Sequence, residues 1–270
     1  MHRKLTFIKQ KYDLELFRVD EFDANKRLVY NKINDQEGLL ETKFKYDNSG
    51  NVVLEENFVD GKMSDYTVTK FDNDGEVLSI SVFIADELYE KTTCTKTESG
   101  EITITTIDGV ESSKKITETD EFKSITTEYE FGEFVRKVIS EDTDEGRKET
   151  IYDENNVILQ YQNYEFDEND RILRHEVFSP ILEPLSTEIH TYSHGNLIQI
   201  AYESIEQTEF YNYDYDDKNN IIAYKVTDRK DNVVAFEKSV FDEENREIEK
   251  SSFQMGFQPI DYVMQYEEII

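Results

Sequence analysis

Apolar and polar residues alternate along most of this chain with a period of two. Glu101–Ile107 reads EITITTI, which puts Ile102 and Ile104 on one face and Thr103 and Thr105 on the other. In Val77–Phe83, VLSISVF, the residues Leu78, Ile80 and Val82 fall together. Such alternation, rich in β-branched and aromatic residues, is the pattern of a half-buried strand. No segment sustains an i, i+3, i+4, i+7 apolar pattern between caps, so no long helix is predicted.

A turn signature interrupts the alternation about every 12 residues or multiples of 12. It runs aromatic, Asp, two polar residues, Gly or Asn, one polar residue, aliphatic. It reads FDANKRL at Phe22–Leu28, YDNSGNV at Tyr46–Val52 and FDNDGEV at Phe71–Val77. It returns as YDENNVI at Tyr152–Ile158, FDENDRI at Phe166–Ile172 and YDDKNNI at Tyr215–Ile221. Weaker copies are NDQEGLL at Asn34–Leu40, TDRKDNV at Thr227–Val233 and FDEENREI at Phe241–Ile248. The Asp side chain can accept from backbone amides two residues on, and Gly or Asn tolerates the positive φ of a tight turn. On this reading Asp47, Asp72, Asp153, Asp167 and Asp216 cap turns. The aromatic ends one strand and the aliphatic begins the next.

Phe22, Tyr46 and Phe71 stand 24 and 25 residues apart, with weaker turns midway at Asn34–Leu40 and Val59–Lys62. A step of about 12 residues holds one strand and one turn, so the chain is predicted to form on the order of 20 short antiparallel strands. The expected fold is all-β: a meander of hairpin repeats curved into an open sheet, partial shell or half-barrel, as a single elongated domain over 1–270. Regular repeats cover about 20–90 and 150–253, and a divergent, Thr-rich middle covers about 91–149. The very polar Val138–Thr150 is predicted to be a long hairpin tip or a lobe junction. SPILEPL at Ser179–Leu185 breaks the pattern, since Pro180 and Pro184 do not suit a central strand.

Composition changes the picture in two ways. Seventeen Tyr, 17 Phe and only 3 Pro among 270 residues argue for a folded chain rather than a disordered one. Sixty Asp plus Glu oppose 30 Lys plus Arg, a formal net charge of -30. That balance excludes direct nucleic-acid binding, which needs cations to displace phosphate counterions, and disfavours anionic membrane surfaces. It suits solubility or long-range attraction of a basic partner. The single cysteine, Cys94, precludes an internal disulfide and fits a reducing compartment. With no signal peptide pattern and no apolar run of membrane-spanning length, a cytoplasmic location is expected.

Candidate chemistry is sparse. His190 and His194 form HTYSH, yet four residues along a strand separate side chains by roughly 13 Å, too far for joint ligation. Asp72–Gly75, Asp142–Asp144 and Asp214–Asp217 echo calcium loops without completing one, and the turn reading is favoured. Cys94 has no neighbouring His in the sequence. Phosphate-loop, G-x-S-x-G, H-E-x-x-H and C-x-x-C motifs are absent. No enzyme activity, metal or cofactor is therefore expected. FYNYDYDD at Phe210–Asp217 interleaves aromatics with acid, which reads either as a cross-strand aromatic ladder or as a binding surface. If the latter, Tyr213, Asp214, Tyr215, Asp216 and Asp217 would contact a partner. The second acid-rich tip, Glu141, Asp142, Asp144 and Glu145, would join them.

The segments YDNSGNV, FDNDGEV and FDENDRI resemble YD repeats, the units of Rhs-type polymorphic toxins and their relatives. The resemblance is strongest over Phe22–Phe83, Tyr152–Phe178 and Tyr215–Phe253. VDGKM at Val59–Met63 is loosely similar to the hairpin repeats of YwqK-type antitoxins. The family implies a β-hairpin array, and in Rhs proteins a hollow shell around a toxin; this chain is expected to depart from that pattern, with too few residues to enclose a domain and no core protease or toxin tail. The expectation is a non-enzymatic immunity protein or antitoxin that binds a basic toxin. The alternative is a structural or scaffold module for a carbohydrate, envelope or secretion-apparatus component.

Overall fold

A computed structural model describes residues 2–9, 14–35 and 38–268, apart from the side chain of Asp35. All regular structure in them is β. The first ten strands are β1 (His2–Lys9), β2 (Leu14–Phe22), β3 (Leu28–Asp35), β4 (Gly38–Tyr46), β5 (Val52–Val59), β6 (Lys62–Phe71), β7 (Val77–Ile84), β8 (Glu87–Lys96), β9 (Gly100–Ile107) and β10 (Val110–Thr119). Then come β11 (Lys123–Glu130), β12 (Glu133–Thr143), β13 (Gly146–Tyr152), β14 (Ile158–Phe166), β15 (Ile172–Phe178) and β16 (Pro184–Ser193). The last six are β17 (Asn196–Ser204), β18 (Thr208–Tyr215), β19 (Ile221–Asp228), β20 (Val233–Phe241), β21 (Glu247–Gln254) and β22 (Ile260–Glu268). The antiparallel meander and the absence of helix agree with the hydrophobic pattern. None of the described segments is a helix long and apolar enough to cross a membrane.

One expectation is corrected. The sheet was expected to be open, but β22 pairs with β1, so the order of pairing closes with barrel connectivity. An ion pair between Arg3 and Glu267, 3.9 Å apart, bridges the same two strands. The physical reason is that an open meander this long would leave two rows of unpaired backbone N–H and C=O groups. Closure removes both.

Compactness divides the chain into two units, residues 1–118, 128–134 and 263–270 in the first, and 119–127 and 135–262 in the second. Neither has a conventional core. Among the described residues only Val226 and Met264 are buried apolar side chains, and none of the large ones is fully enclosed. Most strand side chains are half-buried on both faces. Cohesion therefore comes from the backbone ladder and from cross-strand pairs such as Tyr66 stacked on Phe83 at 4.7 Å and Phe236 on Phe253 at 5.5 Å.

Turn chemistry sorts into two kinds. Two-residue turns with both residues at positive φ are Asp60–Gly61, Ala85–Asp86, Asp108–Gly109, Phe131–Gly132 and His194–Gly195. These match the right-handed twist of the strands they join. The aromatic-Asp turns place the residue three after Asp at positive φ, and it is not always the Gly or Asn of the expected pattern: Lys26 and Asp170 occupy it too. The segment Val138–Thr150, expected to be a long hairpin tip or a lobe junction, is a hairpin with a short tip, Thr143 lying opposite Gly146. The predicted turn within Asn34–Leu40 rests on residues 36–37, which lie outside the described residues. Ser179–Glu183 repeats the aromatic-Asp geometry with Ser in place of Asp: Ser179 Oγ accepts from Glu183 N at 3.1 Å, and Leu182 takes the positive φ. Pro184 opens β16, where no preceding ladder bond is lost.

Two glycines are fixed by close approach. A Cβ on Gly146 would lie 1.9 Å from Tyr164 O, and one on Gly100 would lie 1.9 Å from Thr117 O. Gly75 also has positive φ, but open space surrounds it. Gly100→Ala and Gly146→Ala are each expected to destabilise by about 1–3 kcal/mol, since the neighbouring strand must move. Gly75→Ala should cost less. Denaturant unfolding of the three variants checks the order.

Candidate functional site

The aromatic-Asp turn is a hydrogen-bonded unit. Asp167 shows it most fully: Oδ1 accepts from Asn169 N at 2.8 Å and Arg171 N at 3.1 Å, and Oδ2 accepts from Arg171 Nε at 2.8 Å. The same two-amide cap recurs at Asp23, Asp47, Asp72, Asp153, Asp216 and Asp228. Amide donors favour the carboxylate form. Thus the Asp167 pKa is drawn down to about 2, chiefly by Arg171. Asp23, Asp47 and Asp72 are lowered chiefly by the backbone amide four residues on, and Asp216 and Asp228 chiefly by the side-chain amides of Asn220 and Asn232.

The aromatic at the end of a strand ties its hairpin to the previous one. Tyr46 donates to Leu28 O at 2.6 Å, Tyr192 to Ile172 O at 3.1 Å and Tyr215 to Leu197 O at 2.8 Å. Arg27 and Arg171 lie over the Tyr46 and Tyr192 rings, 4.6 and 4.4 Å from their centroids. Between turns, Arg171 Nη1 donates to Gly195 O at 3.1 Å, Asn196 Nδ2 to Asn219 Oδ1 at 3.0 Å and Asn220 Nδ2 to Asn245 Oδ1 at 2.6 Å. These bonds fasten neighbouring turns of the second unit into a row.

In an antiparallel meander the loops that follow even-numbered strands lie at one end. In the second unit that end carries the loops after β10, β12, β14, β16, β18 and β20. Its exposed acids include Asp120, Glu121, Asp142, Asp144, Glu145, Glu168, Asp170, Asp217, Glu243 and Glu244. Four of its cations are paired with acids, Lys123 to Glu141 at 2.9 Å, Arg147 to Asp142 at 2.9 Å, Arg171 to Asp167 at 2.5 Å and Arg246 to Asp242 at 2.7 Å, and the exposed Lys218 donates to Glu243 O at 2.8 Å.

The two acid-rich segments singled out from the sequence therefore share one end of this unit. Their residues differ in availability. Asp144, Glu145, Asp214 and Asp217 are exposed, Asp216 is engaged as a cap, and Glu141 and Asp142 are paired. Tyr215 is held by Leu197 O. Tyr213 is half-buried against Tyr224, ring centroids 5.2 Å apart, and burial raises the pKa of both phenols. Tyr213 and Tyr224 line an open groove of about 560 Å³ together with Asn220, Glu237, Phe241 and Glu247. A second groove of about 630 Å³ is lined by Asp142, Asp144, Glu145, Arg147, Phe166 and Asp170. Cys94 sits in β8 beside Thr103, whose hydroxyl lies 3.9 Å from the sulfur.

Sequence reasoning missed a polar cluster on β14–β16. His175 and Glu188 are cross-strand partners, and His190 is two residues beyond Glu188. Glu188 Oε2 lies 3.4 Å from His190 Nε2 and 4.0 Å from His175 Nδ1. Tyr164 stacks on His175 with ring centroids 4.4 Å apart. Gln162 Oε1 lies 3.1 Å from His175 Nε2 and accepts from Tyr164 OH at 2.6 Å. The signal in the sequence was Glu-x-His within one strand, with a His one strand away.

No protein-family profile matches the chain, and no curated protein matches it. Among solved structures it is similar to a porin-like protein from Bacteroides uniformis ATCC 8492, at 9% identity over 98% of this chain and 96% of that one, TM-score 0.39. It is also similar to TcdB2-TccC3-TEV, at 11% identity over 95% of this chain and 16% of that one, TM-score 0.33. A Photorhabdus luminescens Tc holotoxin pore matches at 10% identity over 91% of this chain and 19% of that one, TM-score 0.21. Likenesses this distant say nothing of what the chain does.

The capped carboxylates set an acid limit to stability. The folded pKa values of Asp23, Asp47, Asp72, Asp167, Asp216 and Asp228 lie below the unfolded value of 3.8, so their contribution is present above that pH and is lost as pH falls through the folded values, near 2 for Asp167. Melting temperature should drop between about pH 4 and 2. Asp167→Ala should lower the neutral-pH melting temperature by about 2–4 °C. It should also flatten the acid dependence. Calorimetry across pH checks both.

Proposed function

We propose that this chain is a non-enzymatic, acidic protein-binding module that neutralises a basic bacterial toxin in the cytoplasm, in the manner of an immunity protein or antitoxin. The recurring aromatic-Asp turn supports reading it as a diverged YD-repeat protein. The observation that carries the proposal is the division of labour among acids at one end of the second unit. Asp167, Asp216 and Asp242 are spent on the turns and Glu244 is paired with Arg246, whereas Asp144, Glu145, Glu168, Asp170, Asp217 and Glu243 face solvent. Acids retained beyond those the fold consumes make a field that attracts a cationic surface. Close contact then falls to the two grooves, with Tyr213 and Tyr224 offering aromatic area in the first, where Glu237 is paired with Lys250.

The groove also favours a second reading. Aromatic rings beside Asn220 and Glu237 could hold a carbohydrate, as a scaffold or envelope module would require. A pull-down followed by mass spectrometry identifies the partner, and its binding rates then separate the readings. Association should slow by about tenfold or more as ionic strength rises from about 20 to 150 mM, while dissociation changes little. Reversing Asp144, Glu145 and Asp217 to Lys should slow association in low salt. A salt-independent association rate, or an acidic partner, would overturn the proposal.

A further inference from the structure

We propose that the chain binds a second copy of itself, forming a two-fold dimer through the loops that follow odd-numbered strands in its second unit. These loops lie at the end opposite the acid-rich one. Among the described residues of that unit, seven large apolar side chains are more than half exposed, and six of them sit in these loops. They are Val157 after β13, Ile181 and Leu182 after β15, Ile205 after β17, and Met255 and Phe257 after β21. Single exposed apolar residues are ordinary, but six gathered at one end mark a contact surface. At about 150–200 Å² per large side chain they present on the order of 700 Å², close to the roughly 800 Å² that each partner gives to a stable interface.

Charge selects the occupant. In this unit the loops after even-numbered strands hold twelve acids against three cations. The loops after β13, β15, β17, β19 and β21 hold five acids against two cations. Two chains that each carry a formal charge of -30 repel one another, and meeting at the odd-loop ends keeps their acid-rich ends apart. The row of loops also complements itself. Successive odd loops are two strands apart, about 10 Å, and the loop with Ile205 stands in the middle of the five. A two-fold axis there reverses one row against the other, so each contact occurs twice. The one cationic loop, with Arg229 and Lys230, then meets the loop of Glu183, Ile181 and Leu182, while Met255 and Phe257 meet Val157. Arg229, Lys230 and Glu183 are all exposed. The acid-rich ends stay open to solvent, so the dimer does not depend on what they bind.

Sedimentation velocity of the full chain between about 1 and 100 μM, where a weak interface of this size already forms, tests the proposal. Wild type should double its mass across that range. Ile205→Asp sets two like charges at the axis and should weaken the dimer at least about tenfold. Arg229→Glu should weaken it by about fivefold or more, and adding Glu183→Arg should restore it, because the axis pairs those positions. Phe122→Asp, at the acid-rich end, should dimerise as wild type does. The altered side chains are exposed, so an unchanged strand circular dichroism and melting temperature separates loss of contact from loss of fold. A chain still monomeric at the highest concentration, a dimer indifferent to Ile205→Asp, or a charge swap that fails to restore it would overturn the proposal. A monomer that floats with phosphatidylcholine vesicles, and no longer does so with Ile205→Asp, overturns it in favour of a lipid surface.

Discussion

The interaction on which this structure depends is the backbone ladder of a sheet that has almost no buried core. With Val226 and Met264 as the buried apolar side chains among those described, burial is spread thinly over both faces instead of concentrated in a centre. Each strand must then be secured by its two neighbours and by the turns at its ends. The capped Asp turns and the tyrosine bonds to the preceding hairpin answer that need. They join consecutive hairpins where the ladder is most prone to fray. Pairing of β22 with β1 completes the arrangement, because a free edge would be the weakest part of such a sheet.

This explains which features were legible in the sequence. Turns at Asp47, Asp72, Asp153, Asp167 and Asp216 were readable because each is local: a carboxylate reaches amides two and four residues on. Strand number followed from the spacing. Closure was not readable, since the pairing of His2–Lys9 with a strand near residue 264 has no local signal. The Ser179 turn was obscured by two prolines, although Ser179 falls twelve residues after Asp167, where the repeat requires a cap. Lys26 and Asp170 at positive φ were also unreadable, because the cap and the flanking ladder impose a conformation those residues do not prefer.

The candidate site was legible in composition but not in allocation. Sixty acids gave no reason to separate Asp216 from Asp217, although one bonds backbone amides and the other faces solvent. Strand parity makes the separation useful, because it gathers alternate loops of the second unit at one end. Glu168, Asp170, Glu243 and Glu244 thereby join the segments around Glu141 and Asp214. The aromatic segment Phe210–Asp217 resolves similarly, with Tyr215 a tie between hairpins and Tyr213 a groove wall.

The histidines show how a fold class determines which spacing is chemically meaningful. His190 and His194 have the separation that suits one face of a helix, and on a strand it carries them apart, with His194 in the turn beyond β16. In a sheet, the positions that converge are two residues apart on one strand or directly opposite on the next. Glu188, His190 and His175 satisfy both conditions. These residues do not pack in an apolar core, since Val226 and Met264 are the buried apolar side chains among those described. Their orientation comes instead from Tyr164 and Gln162 on the adjoining strand.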